Sequence, residues 1–217
     1  MGRNLVLCLE HDYDVDCPSD NDCSWKLVSF GRRHGNYEDP DNYLTCNKDG
    51  QLAPANIGLR RKLQVGLAFV LSYYEHGGSE WSLMGEGMQC RWDTTRVAGI
   101  LLFDGKPNDM GAKTLEDRAK DARGFLEVYN DWANGNTYYI ALETPEEFAD
   151  NGWHRDGEVI EDGSCGGFIG LDHAAEFLTE VLEPGDKVKA GGELKDMVQY
   201  LKLPEGVELV GQRNRPG

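Results

Sequence analysis

Bases are scarce in this chain of 217 residues: Lys and Arg number 22 against 38 Asp and Glu, a formal charge of −16. A surface so short of cations is a poor partner for nucleic acid or an anionic membrane, because both are held by Lys and Arg. The basic clusters, Arg32-Arg33 and Arg60-Arg61-Lys62, are too short for a nucleic-acid footprint. Patterned cysteines are missing too. Cysteines at 8, 17, 23, 46, 90 and 165 form no CxxC pair and no zinc-ligand spacing. They read as free thiols of a reducing cytoplasm. Long apolar runs are absent. The best, residues 65–74, is broken by Gly66 and Ser72 and falls short of the ~20 residues that span a bilayer. The apolar residues 5–9 are too few for a secretory signal. No repeat of fixed period is visible, and no Gly-Lys-Ser/Thr closes a phosphate loop. The expectation is a soluble cytoplasmic protein without cofactor or metal.

What is present suffices for a core, with 40% hydrophobic residues. Alternation and apolar runs predict strands at 3–9, 24–33, 68–76, 81–84, 97–103 and 138–143, another from 158 toward Phe168, and one at 207–210. Residues 10–22 read as an acidic loop and 34–56 as a long irregular segment. Residues 57–67 read as a short helix weakened by Gly58 and Gly66. The clearest helix is 114–133, where Leu115, Ala119, Ala122, Leu126 and Tyr129 share one face. Thr114 and Asp117 stand at capping-box positions, and Gly135 lies just past the end. Asp172 is expected to cap a second helix at 173–182, and a third is expected at 193–201. The fold class is therefore α+β: a mostly antiparallel sheet with two principal helices packed on it. Residues 1–183 are expected to form one domain, with 184–217 a C-terminal extension.

Chemistry-bearing residues are few. Asp12, Asp14 and Asp16 alternate as a calcium loop begins, but Cys17 stands where Gly is needed and Cys23 where Glu is needed. That leaves a solvated loop or an irregular divalent site that adds Asp20 and Asp22. His76, Cys90, Asp93 and Cys165 are candidates for a thiol nucleophile with a base, or for a zinc site, should the fold gather them. The glycines of Gly163-Ser-Cys-Gly-Gly-Phe-Ile-Gly170 match neither a phosphate loop nor a dinucleotide fingerprint, and read as a sharp turn. Residues 101–200 hold 22 acids and 9 bases. Glu116, Asp117, Asp121, Glu127 and Asp131 fall on the first long helix, Glu176 and Glu180 on the second. With Trp132 and Trp153 as aromatic anchors, they form the candidate surface for a basic partner.

Four segments carry a resemblance: Val28-Ser-Phe-Gly-Arg-Arg-His-Gly-Asn36, Tyr74-Glu-His-Gly-Gly78, Cys90-Arg-Trp-Asp-Thr94 with Val97 and Ile100, and Ser164-Cys-Gly-Gly-Phe-Ile-Gly170. In order and spacing the chain resembles a group of small, acidic, phage-encoded proteins of undetermined function. It departs from the group at His34, Thr95 and Gly166, where Tyr, Gly and Trp would stand. The resemblance implies a phage setting and a bacterial host cytoplasm. It also implies, by class analogy, an anti-CRISPR-like or antirestriction antagonist of host defence. The expected action is stoichiometric binding to a nuclease or other nucleic-acid-binding effector, through an acidic face that mimics nucleic acid. The alternative is an enzyme or ligand-sequestering protein acting on a signalling nucleotide or host protein. Its site would be His76, Cys90, Asp93 and Cys165, or a pocket lined by Trp92 and Phe168.

Overall fold

A computed structural model describes residues 2–21, 24–46, 48, 51–145, 148–149, 152–153 and 158–211, with backbone alone at 148–149 and 152–153. Along the chain run β1 (Asn4–His11), β2 (Trp25–Ser29), β3 (Leu44–Cys46), β4 (Leu52–Pro54), α1 (Ile57–Val65), β5 (Ala68–Glu75), β6 (Ser79–Leu83) and β7 (Thr94–Phe103). Then come α2 (Leu115–Ala133), β8 (Thr137–Glu143), β9 (Phe148–Ala149), β10 (Gly152–Trp153), β11 (Val159–Ile169), α3 (Leu171–Val181), β12 (Lys187–Gly191) and β13 (Glu208–Val210). The α+β expectation holds: the sheets are mostly antiparallel, and one is mixed. The chain divides into two compact units, residues 1–16 with 135–217, and residues 17–134.

The first unit is a sheet in the order β11-β8-β1-β12-β13. β1 pairs antiparallel with β8 and parallel with β12. Alternate residues of two neighbouring strands, Leu5, Leu7 and Leu9 with Tyr138, Ile140 and Leu142, enter one core with Ala174, Ala175 and Leu178 of α3 and with Val198. Val6, Cys8 and Ala141 form a smaller cluster from the intervening positions, as a two-residue period requires. The expected boundary at 183/184 separates nothing, because β12 lies inside this sheet. The helix expected at 193–201 is a 3-10 helix, Lys195–Tyr200. Asp172 does not cap α3. Gly170 holds the cap position at φ 82°, a left-handed conformation natural to glycine, while the Asp172 carboxylate pairs with Lys202 at 2.7 Å.

The second unit is an antiparallel sheet in the order β2-β7-β5-β6. One core gathers Trp25, Leu27, Leu71, Trp81, Leu83, Leu101 and Phe103 with Ala122, Leu126 and Tyr129 of α2. Val28, Ala68 and Ile100, at alternate positions, pack with Leu59 of α1 in a separate cluster. The predicted capping box opens α2: Thr114 Oγ1 accepts from Asp117 N at 3.1 Å, and Thr114 N donates back to Asp117 Oδ2 at 3.2 Å. Two asparagines, Asn130 near the end of α2 and Asn134 at its C-cap, dress strand β6. The Asn130 side chain accepts from Trp81 N at 2.8 Å and donates to Trp81 O at 3.0 Å. Asn134 does the same at Ser79, at 2.9 and 2.8 Å. Spaced one helical turn apart, the two amides meet alternate residues of β6 as a neighbouring strand would. This covers an edge that would otherwise offer free backbone groups.

Candidate functional site

Three of the four thiol-site candidates do assemble, all in the second unit. Cys90 Sγ donates to Asp93 Oδ2 at 3.2 Å, and His76 Nδ1 lies 3.8 Å from the same oxygen. Cys165 belongs to β11 of the other unit and is exposed. The order of groups matters chemically. A thiol relay needs the imidazole beside the sulfur as proton acceptor, whereas here the carboxylate stands in the middle. The rest of the motif closes a loop: Thr94 Oγ1 accepts from Cys90 N at 2.9 Å and donates to Met88 O at 2.8 Å. Trp92 is 83% exposed with Arg91 stacked 5.2 Å from its ring centre. Phe168 belongs to the other unit, where it packs against the core of its own sheet.

Thr94→Val removes two hydrogen bonds and should lower stability by about 1–2 kcal/mol. Cys90→Ser keeps a donor toward Asp93 and should shift stability by less than about 1 kcal/mol. Urea unfolding of both variants measures this. If Cys90→Ser instead abolished biological activity at unchanged stability, the cluster would be chemical rather than structural.

The acidic loop and the glycine segment meet within the first unit. Asp12 Oδ2 accepts from Gly167 N at 2.7 Å, and a side chain at Gly166 would place its Cβ 2.6 Å from that oxygen. Among the described residues no three His, Cys, Asp or Glu side chains are grouped to hold a metal ion.

The candidate partner-binding acids fall on both units. On α2, Glu116 and Glu127 are exposed. Asp117 is bound into the capping box, which holds its carboxyl below the ordinary value through the Thr114 hydroxyl. Asp121 Oδ2 accepts from the buried Trp25 indole at 2.8 Å, so it also serves the core. Asp131 is half-buried. Glu176 and Glu180 are exposed on α3 of the other unit. The side chain of Trp153 lies outside the described residues. The charge divides unevenly: the first unit has 21 acids and 8 bases, the second 17 and 14. The acidic body is thus not the one that carries α2.

Trp132 is not a protruding anchor but part of a pocket of about 460 Å³ in the second unit, which the sequence did not reveal. Tyr129 and Trp132 come from α2, Tyr73 from β5, Trp81 from β6 and His34 from the loop after β2. Cys17 and Asp20, from the 3-10 turn ahead of β2, stand among them. Each ring is held. Tyr73 and Trp81 lie 4.6 Å apart between centres, with His34 edge-on to both at 4.9 and 5.5 Å. Ser29 Oγ lies 2.6 Å from His34 Nδ1. Ser29 is fully buried, so this pair orients the imidazole rather than presenting a nucleophile. Asn36 Nδ2 donates to Tyr129 Oη at 3.3 Å. Burial above all, then the nearby Cys17 and Asp20, push the Tyr129 phenol up to about 12 against the Asn36 hydrogen bond. Burial likewise raises the Cys17 thiol. Both groups are neutral at physiological pH. Compared with known families, curated proteins and solved structures, the chain matches none.

Proposed function

We propose that this chain is a phage-encoded antagonist of a bacterial defence system, of anti-CRISPR or antirestriction type, acting by stoichiometric binding to a basic nucleic-acid groove. The observation that carries the reading is the charge division: one folded unit holds 21 acids and 8 bases. Exposed carboxylates there include Glu161 and Asp162 of β11 and Glu176 and Glu180 of α3. The four-segment resemblance supplies the phage setting. The middle position of Asp93 in the thiol cluster weighs toward binding over turnover. A basic groove built for phosphates would meet a dense negative surface, with charge setting approach rate and partner choice.

The test is expression in bacteria carrying defined nuclease-based defence systems, challenged with a phage each system restricts. The wild-type chain should restore plaquing against at least one system. A variant with Glu161→Gln, Asp162→Asn, Glu176→Gln and Glu180→Gln should restore it at least about tenfold less well, since rim charges act through association. Glu116→Gln with Glu127→Gln should restore it as the wild type does. Inhibition of the purified effector should saturate near one equivalent and weaken with salt. Plaquing restored equally by the four-site variant, or by none of the chains in any system, overturns the proposal.

A further inference from the structure

We infer that the aromatic pocket of the second unit is a binding site for a small organic cation, an alkylated ammonium group in particular. Four of its walls, Tyr73, Trp81, Tyr129 and Trp132, are electron-rich rings, and the face of such a ring attracts a cation, Trp most strongly. The lining includes Asp20 and neither Lys nor Arg. A phosphate-bearing ligand would find no countercharge there, whereas a cation finds one.

Ring geometry separates a compact cation from a flat base. A nucleobase stacks on a parallel face or in a parallel slot. Here the interplanar angles are 42° for Tyr73–Trp81, 71° for His34–Trp81 and 52° for Tyr129–Trp132. Rings inclined this way enclose a rounded space rather than a slot. The pocket's ~460 Å³ lies in the small-molecule range. Its parts are held in place beforehand: Trp81 by Asn130, Tyr129 by Asn36, and His34 by Ser29. Binding therefore orders little that is not already ordered. The upward push on the Tyr129 phenol by Asp20 agrees with a negative field inside the pocket. Nothing in this inference rests on the antagonist reading, since the acidic unit and the pocket belong to different bodies.

Choline and its uncharged isostere 3,3-dimethyl-1-butanol test it directly on the full-length protein. Their affinities are read by calorimetry and by NMR shifts of the Trp81 and Trp132 indole N–H signals. Choline should bind about tenfold or more tightly than the isostere, and move both signals. Asp20→Asn, at an exposed position that leaves the fold intact, should weaken choline about threefold or more while sparing the isostere. Trp132→Leu should weaken choline about tenfold, and Trp132→Phe should recover part of the loss. Equal binding of the two compounds would make the pocket merely apolar and overturn the proposal. So would silence of both indole signals, or full affinity in Asp20→Asn and Trp132→Leu proteins of wild-type stability.

Discussion

Asp186→Ala should lower the stability of the first unit by about 3 kcal/mol at neutral pH, one of the largest effects open to a single polar substitution. Asp186 is 1% exposed and gathers donors from two distant stretches. Arg3 gives its backbone N–H at 2.8 Å and its guanidinium at 2.5 and 3.0 Å, and Glu183 gives its backbone N–H at 3.0 Å. The pair joins the start of β1 to the turn before β12, the two strands that run parallel at the centre of the sheet. Removing the carboxylate leaves those donors short of an acceptor. Arg3 is 37% exposed and can turn partly to water, which keeps the cost at the lower end for a buried pair.

The sign of the pH dependence follows. Burial alone would raise the Asp186 carboxyl, but the Arg3 guanidinium and the two backbone donors outweigh it and hold it below the ordinary value. A depressed carboxyl contributes its full stability above the ordinary value of about 3.9 and loses it as pH falls through the folded value. The gap between wild type and variant should therefore be widest at pH 7 and shrink below about pH 4. Urea unfolding by circular dichroism at pH 7 and pH 3, with hydrogen exchange in β1 and β12 locating the loss, measures both parts. An equal gap at the two pH values would contradict the account.

Local features of this fold were legible in the sequence, and non-local ones were not. The α2 capping box and the apolar runs of β1 and β7 follow from neighbours in the chain. β12 escaped because its sequence, Lys-Val-Lys-Ala-Gly, has one fully buried side chain, Val188, and reads as a polar stretch. The two-unit division escaped because residues 1–16 join a body whose remainder begins only after 118 intervening residues, at Gly135. Counting acids along the chain therefore assigned α2 to an acidic face, while the surplus belongs mostly to the other unit. The aromatic pocket draws on positions from 17 to 133. No spacing signals it. The imidazole of His34 reaches it from the loop after β2 and stands edge-on to Tyr73 and Trp81.

That pocket depends on a residue with no side chain. Gly99 sits in β7 opposite Ser29 of β2 and Leu71 of β5. A Cβ there would lie 2.4 Å from Val28 O and 3.0 Å from Trp81 Cζ3. The first obstacle is backbone of a paired strand and cannot swing aside. The second is the ring that walls the pocket, itself 4% exposed and tied at its backbone to Asn130. Gly99→Ala must therefore spread the β2–β7 pairing or displace Trp81, and should cost about 3 kcal/mol. Gly124→Ala is the matched control: it lies in α2 with open space around its Cβ position, and the change should stabilise by about 0.5–1 kcal/mol through helix propensity. Thermal and urea unfolding rank the two against wild type, and the Trp81 indole shift reports the pocket. A loss at Gly99 with a gain at Gly124 ties the aromatic walls to strand packing. A Gly99→Ala protein with wild-type stability and an unmoved Trp81 signal would mean that β2 and β7 approach less closely than 2.4 Å from Val28 O implies, and that the pocket is not held by its sheet.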